Sequence, residues 1–223
     1  MDTRSTQPPP PREPSDVDLP SRLRRRLSAP LPGRRAQQLL EPDAAFGRHF
    51  GPAAHDARPA AVMLLLYPRY GDWHFALTVR HAELATHAGQ TSLPGGLVEA
   101  GETGLQAARR ELEEEIGVAP SKISVLGSLS PLFLFSTHFF VTPWVAAATN
   151  ELAFRPQVDE VAELLEVPLR DLVDRRSIGR HRLPVRGISC SVPHWKLAGR
   201  EVWGVTAMIL AEFAAVCRDV LVD

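Results

Sequence analysis

Cysteine is nearly absent from this chain. Its two cysteines, Cys190 and Cys217, stand far apart and in no metal-ligand spacing. That excludes a disulfide framework and fits a reducing cytosol. Lysine is as scarce, occurring only at Lys122 and Lys196, which reads as a coding bias of the source. Net charge is missing too, since 25 Lys and Arg against 26 Asp and Glu leave −1. A dedicated nucleic-acid binder would be basic, so no nucleic-acid partner is expected. No apolar run approaches the roughly 18 residues needed to span a bilayer, so no membrane partner is expected either. Ala60 to Leu66, for instance, has only the length of a strand. The N-terminus has no positive-then-apolar signal pattern, and Asp2, Glu13, Asp16 and Asp18 oppose a transit peptide. The expected location is cytoplasmic.

What is present is 44% apolar residues in 223, enough for one domain with an appendage. Residues 1–17 carry Pro8-Pro9-Pro10-Pro11 and read as a proline-rich, disordered tail. Residues 18–57 read as a helical or irregular extension. Within it, Leu19, Leu23 and Leu27 share one helical face, and the neighbouring arginines form a solvated face. Residues 58–223 read as the main domain. Ala60 to Tyr67 and Trp73 to Arg80 predict a hairpin turning over Pro68, Gly71 and Asp72. Ile123 to Leu129, His138 to Ala148 and Leu164 to Val167 predict further strands. Ser189 to Val192 and Trp195 to Trp203 predict a terminal β pair with a turn near Ala198-Gly199. A last helix runs from about Gly204 to Val220, with Leu210, Phe213, Ala214, Cys217 and Leu221 as its stripe. Cys217 on that stripe reads as a packed thiol. The fold class is α+β, a mixed sheet covered by helices on both sides.

One stretch carries the chemistry. Gly95-Gly96 opens a glycine loop that runs into a helix from about Thr103, where Gln106 completes a capping box; Gly117 stops it. Leu105, Ala108, Leu112 and Ile116 predict the buried stripe. Glu111, Glu114 and Glu115 share another face, and Glu113 points to water. Three carboxylates on one patch repel one another unless a cation joins them, and hard divalent ions prefer oxygen ligands. A solvated acidic face is the alternative.

Gly96, Glu102, Arg110, Glu111, Leu112, Glu114, Glu115, Gly117 and Val118 fill every fixed position of the pattern G-x5-E-x7-R-E-U-x-E-E-x-G-U, where U is bulky and aliphatic. On these residues the chain resembles the Nudix hydrolases. The resemblance implies an α/β/α sandwich and hydrolysis of a nucleoside diphosphate linked to another moiety. It also implies Mg²⁺ or Mn²⁺ as cofactor, held by Glu111, Glu114 and Glu115. The planar fork of Arg110 suits bracing carboxylates, with Glu102 the expected partner. The glycines would let backbone approach a phosphate.

Upstream, Leu77, Thr78, Arg80, Gly89, Pro94, Gly95 and Gly96 are similar, in register, to the extra motif of the coenzyme A pyrophosphatase branch. Ala76, His81, Ala85 and Leu93 depart from it. Ala85 removes a cation suited to a phosphate-rich ligand, for which His87 or a residue of the tail is a candidate substitute. The implied substrate is coenzyme A or a thioester of it, cleaved to 3′,5′-ADP and a phosphopantetheine product. ADP-ribose, a dinucleotide or a nucleoside triphosphate is the alternative, and a non-catalytic nucleotide sensor is the alternative of another class. Arg80 is the candidate for a substrate phosphate, or else an ion pair at a strand end. Glu160, in a loop before a strand, is a further metal ligand, the general base, or a solvated loop acid. The expected catalytic set is Glu114, Glu115, Arg110 and Glu160, with Arg80, Gly95 and Gly96 binding substrate. The partner is a small nucleoside diphosphate derivative, bound by a monomer or homodimer. His181 and His194 stand in no ligand spacing and read as surface or core residues.

Overall fold

In the computed structural model, residues 16, 18–45, 48–82, 89–185 and 188–221 are described. The proline run, Ala85 and His87 lie outside them. The centre of the fold is β1 (Arg58–Arg69), whose run of apolar residues is buried on both sides. Ala61, Met63, Leu65 and Tyr67 face one core; Ala60, Leu64 and Leu66 face the other. The two-residue period of a strand splits a continuous apolar run in this way only when both faces are covered.

β1 turns through Tyr70-Gly71, both with positive φ, into β2 (Asp72–Arg80). That is the backbone of a tight hairpin turn. Pro68 lies in the strand, opposite Trp73, and not in the turn. β3 (Thr91–Ser92) pairs with β2, and β4 (Gly95–Leu97) pairs antiparallel with the first half of β1. The glycine loop expected from sequence is therefore a strand. β5 (Ser124–Ser128), β6 (Leu132–Leu134) and β7 (Phe139–Ala147) follow, with β7 parallel to β1 and antiparallel to β5 and β6. β8 (Val161–Pro168) closes on β2, completing a mixed eight-stranded sheet. A second, three-stranded sheet comprises β9 (Ile178–Val185), β10 (Ile188–Leu197) and β11 (Arg200–Trp203). The expected terminal pair is thus extended by β9, whose Arg180 and Arg182 hide the strand pattern.

Helices cover both faces of the large sheet. On one lie α1 (Leu19–Leu27) and α5 (Gly204–Leu221), sharing a core with Phe75, Leu77 and Val145. Leu19, Leu23 and Leu27 are all buried, as their four-residue spacing predicts. α5 is buried almost all round, yet Leu221 at its end is exposed, contrary to the expected stripe. Cys217 is fully buried there, and desolvation pushes its thiol pKa up. Two short helices, α2 (Arg34–Gln37) and α4 (Leu169–Val173), pack against α5. Among the described residues, no helix is long and apolar enough to cross a membrane.

On the opposite face lies α3 (Gly104–Ile116). Thr103 and Gln106 form a reciprocal capping box, and Gly117 ends the helix with φ 72°. Ala108, Leu112 and Ile116 are fully buried. Leu105 is only partly buried, and Ala107 takes the remaining buried position.

Candidate functional site

Packing α3 by its apolar stripe fixes where its acids point. Glu115 lies three residues after Leu112, at the edge of the stripe, and is 3% exposed. Glu111 is half-buried, Glu114 is exposed and Glu113 faces solvent. One acidic helix face thus holds carboxylates at three different depths.

β4 shapes the space above them. A Cβ on Gly96 would come within 2.2 Å of Glu111 Oε1. At Gly95, with φ 155°, a Cβ would meet the Ala61 carbonyl at 2.3 Å. Glycine is required at both places, at Gly96 to admit a carboxylate and at Gly95 to pair with β1. The Gly95 backbone also hydrogen-bonds Glu115.

Arg110 is the brace. Its Nη2 donates to Glu102 Oε1 at 2.9 Å and its Nε to Glu102 Oε2 at 3.3 Å. This hydrogen bonding is the main reason the Glu102 carboxyl is held below the usual carboxylate range. Arg110 reaches further than that partner. Nη1 donates to Glu111 at 2.9 Å and to Glu114 at 3.0 Å, while Nη2 also reaches the Leu97 carbonyl at 3.1 Å. The guanidinium therefore ties β4, the following loop and two acids of α3 together.

Glu115 is left differently placed. Arg80, at the end of β2, is the cation beside it among the described residues, with Nη1 3.9 Å from Oε1. Oε2 is buried without a hydrogen-bond partner. Burial above all, then the charge of Glu111, pushes the Glu115 pKa up to about 8. Burial also raises that of Glu111, against the pull of Arg110. Both acids also feel Glu160, an exposed residue just before β8. An orphaned buried carboxylate oxygen among all-oxygen donors fits a hard divalent cation. Glu111, Glu114 and Glu115 are the residues that would hold it.

Of the charged groups named so far, all but Glu102, Arg110 and Glu113 line one cavity of about 1350 Å³. Arg80, Gly95, Gly96, Glu111, Glu114, Glu115 and Glu160 supply its polar lining. Leu134, Phe135, Phe139, Val205 and Ile209 supply an apolar lining from β6, the turn after it, β7 and α5. Arg48 and His49 enter from the N-terminal extension. The Arg48 guanidinium lies 3.9 Å from the centroid of the Phe135 ring, and His49 Nδ1 is 2.9 Å from the Phe133 carbonyl. Sequence reading passed over Arg48 and the β6–β7 aromatics. They follow no local period, and only the fold carries them to the cavity.

A model of the NUDIX domain matches residues 57–185. The chain is 34% identical over 177 residues to the uncharacterized Nudix hydrolase NudL of Pectobacterium atrosepticum, covering 74% of this chain and 85% of that one. It is 38% identical over 164 residues to the protein of the same name from Citrobacter koseri, covering 70% and 82%. A C. elegans Ap4A hydrolase shares the fold, with a TM-score of 0.51, 20% identity, and coverage of 73% of this chain and 98% of that one. The glutamates of α3, the brace at Arg110 and the glycines of β4 thus sit in a familiar frame: this chain belongs to the Nudix hydrolase family and is a pyrophosphohydrolase.

Proposed function

We propose that this enzyme uses Mg²⁺ or Mn²⁺ to hydrolyse the diphosphate linkage of coenzyme A or its thioesters, releasing 3′,5′-ADP and a phosphopantetheine product. The observation that carries this reading is the two-part cavity. Its polar lining suits a diphosphate, and its apolar lining suits a long, weakly polar arm such as pantetheine and an attached acyl group. The upstream residues Leu77, Thr78, Arg80 and Gly89 support the same substrate by their likeness to the coenzyme A branch.

The residues divide the work. Glu111, Glu114 and Glu115 would hold the cation, which would supply Lewis-acid polarisation of the phosphoanhydride and activation of water. Arg110 fixes Glu111 and Glu114 in position. Arg80 holds a phosphate oxygen of the substrate. Glu160, exposed at the cavity, accepts the proton of the attacking water at its carboxylate. Oxygen from water joins one phosphorus, the bridging P–O bond breaks, and the other phosphate leaves with the bridging oxygen. Arg48 is the cation we assign to the remaining phosphate in place of the arginine missing at Ala85.

The test is a substrate panel of coenzyme A, acetyl-coenzyme A, dephospho-coenzyme A, ADP-ribose and a nucleoside triphosphate, each with Mg²⁺ and with Mn²⁺. Coenzyme A and its thioester should give the highest kcat/KM. Arg48→Ala should raise KM for coenzyme A about tenfold, the worth of one exposed phosphate contact, and leave dephospho-coenzyme A little changed. Cleavage of ADP-ribose without cleavage of coenzyme A would overturn the substrate assignment.

A further inference from the structure

The small sheet carries a second cluster of donors that the hydrolytic site does not use. Register creates it. Gly179 of β9 faces His194 of β10, and His181 faces Val192, so the two imidazoles are diagonal neighbours on one sheet face. Glu201 of β11 stands opposite Lys196, diagonal to His194 on the same face. The opposite face, with Trp195, Leu197 and Val202, packs into the main core. Nothing in the linear spacing announces the cluster: His194 is buried and His181 partly buried.

The geometry is tight. His181 Nδ1 lies 3.0 Å from His194 Nδ1 and 2.9 Å from Glu201 Oε2. His194 Nε2 lies 3.4 Å from Glu201 Oε1. One ligand atom from each residue can be chosen so that all three lie within 4.8 Å of one another. Ligands held at about 2.0–2.1 Å around a tetrahedral Zn²⁺ sit about 3.3 Å apart. Two further observations point to a ligand. His194 is 1% exposed, yet its Nε2 has no hydrogen-bond partner. Gly179 makes room for that ring, since a Cβ there would meet His194 Nε2 at 2.6 Å. The exposed Glu201 leaves a solvent side for a fourth ligand.

We propose that His181, His194 and Glu201 form a second metal site, selective for a borderline cation such as Zn²⁺. Two imidazoles and one carboxylate suit Zn²⁺, where the all-oxygen set of α3 suits Mg²⁺ or Mn²⁺. Lys196 stands opposite Glu201 on the same face, and its charge opposes a second cation beside His194. Bound metal would join all three strands of the sheet. It would also steady Trp203, which stands edge-on to His181 at 6.3 Å and lines the substrate cavity. The site does not depend on which substrate the enzyme cleaves.

The experiment is calorimetric titration of Zn²⁺ into tag-free full-length protein saturated with Mg²⁺. It is repeated in Glu111→Gln/Glu114→Gln, which cripples the carboxylate site, and in His181→Ala and Glu201→Gln. Co²⁺ absorption serves as a spectroscopic check on imidazole ligation. One equivalent of Zn²⁺ should bind to the wild type and to the carboxylate double variant, and bind at least about tenfold more weakly to His181→Ala and Glu201→Gln. At free Zn²⁺ of 100 times Kd, the thermal midpoint should rise by about 5–10 °C. Because His181 and Glu201 are not core residues, both variants should fold. Zn²⁺ binding that survives in His181→Ala but disappears in Glu111→Gln/Glu114→Gln would overturn the proposal, as would a wild type that binds no Zn²⁺ beside Mg²⁺.

Discussion

Glu115 and Glu212 are both glutamates, both on helices and both buried, at 3% and 0% exposure. Their surroundings are opposite. Glu212, in α5, accepts four hydrogen bonds: from the Gly33 backbone at 2.9 Å, Gln37 Nε2 at 2.8 Å, the Ser130 backbone at 3.1 Å and Ser130 Oγ at 2.7 Å. Its oxygens are fully engaged, and they tie the N-terminal extension and the loop before β6 to the core. Glu115 has the Gly95 backbone, a guanidinium at 3.9 Å and one oxygen with no partner. A buried carboxylate persists when the fold satisfies it or when a ligand does. Glu212 is the first kind and serves the structure; Glu115 has the surroundings of the second.

The contrast can be broken most sharply at Glu115. Glu115→Gln should lower kcat by about 10²–10³-fold, since a metal-bound carboxylate contributes several kcal/mol to the transition state. The metal-free protein should melt no lower than wild type, because glutamine replaces a buried carboxyl whose ionised form the fold leaves unsatisfied. Turnover at wild-type rate in a well-folded variant would remove Glu115 from the site.

Glu212→Ala should do the reverse. Leaving four donors without their acceptor is expected to cost about 3 kcal/mol of stability, lowering the thermal midpoint by about 6–12 °C. Below that midpoint kcat should be near wild type. An unchanged melting curve would show that water replaces the carboxylate at little loss.

The remaining expected effect is a pH dependence. The Glu115 pKa rises from 4.5 to about 8 on folding. Between those values the folded chain keeps a proton that the unfolded chain has released, so unfolding free energy falls as pH rises. The metal-free wild type should therefore lose stability from about pH 4.5 to about pH 8 and level off above. Thermal melts in chelator should show this slope, flattened in Glu115→Gln. Excess Mg²⁺ should oppose it, because metal binding favours the deprotonated carboxylates. A slope that is equal in the variant would assign it to other groups.

Much of this was legible along the chain because the controlling interactions are local. Thr103 and Gln106 cap α3 from three residues apart, Gly117 ends it, and Leu19, Leu23 and Leu27 line α1 at four-residue spacing. β9 and β6 were missed for a related reason. β9 carries the exposed Arg180 and Arg182, and β6 has three residues, too few to show a period.

The sequence by itself determined the capped acidic helix, the hairpin before it, and the glycine, glutamate and arginine pattern of the Nudix family. Each is written in residues a few positions apart. Tertiary structure alone decided which glutamate of α3 would be buried and which exposed, because depth depends on the sheet beneath. It alone brought Arg48 and Phe135 to the cavity, gave Glu212 its donors from more than 80 residues away, and set His181 beside His194 and Glu201. Those contacts join residues remote in sequence, and strand register and helix docking determine where such residues meet.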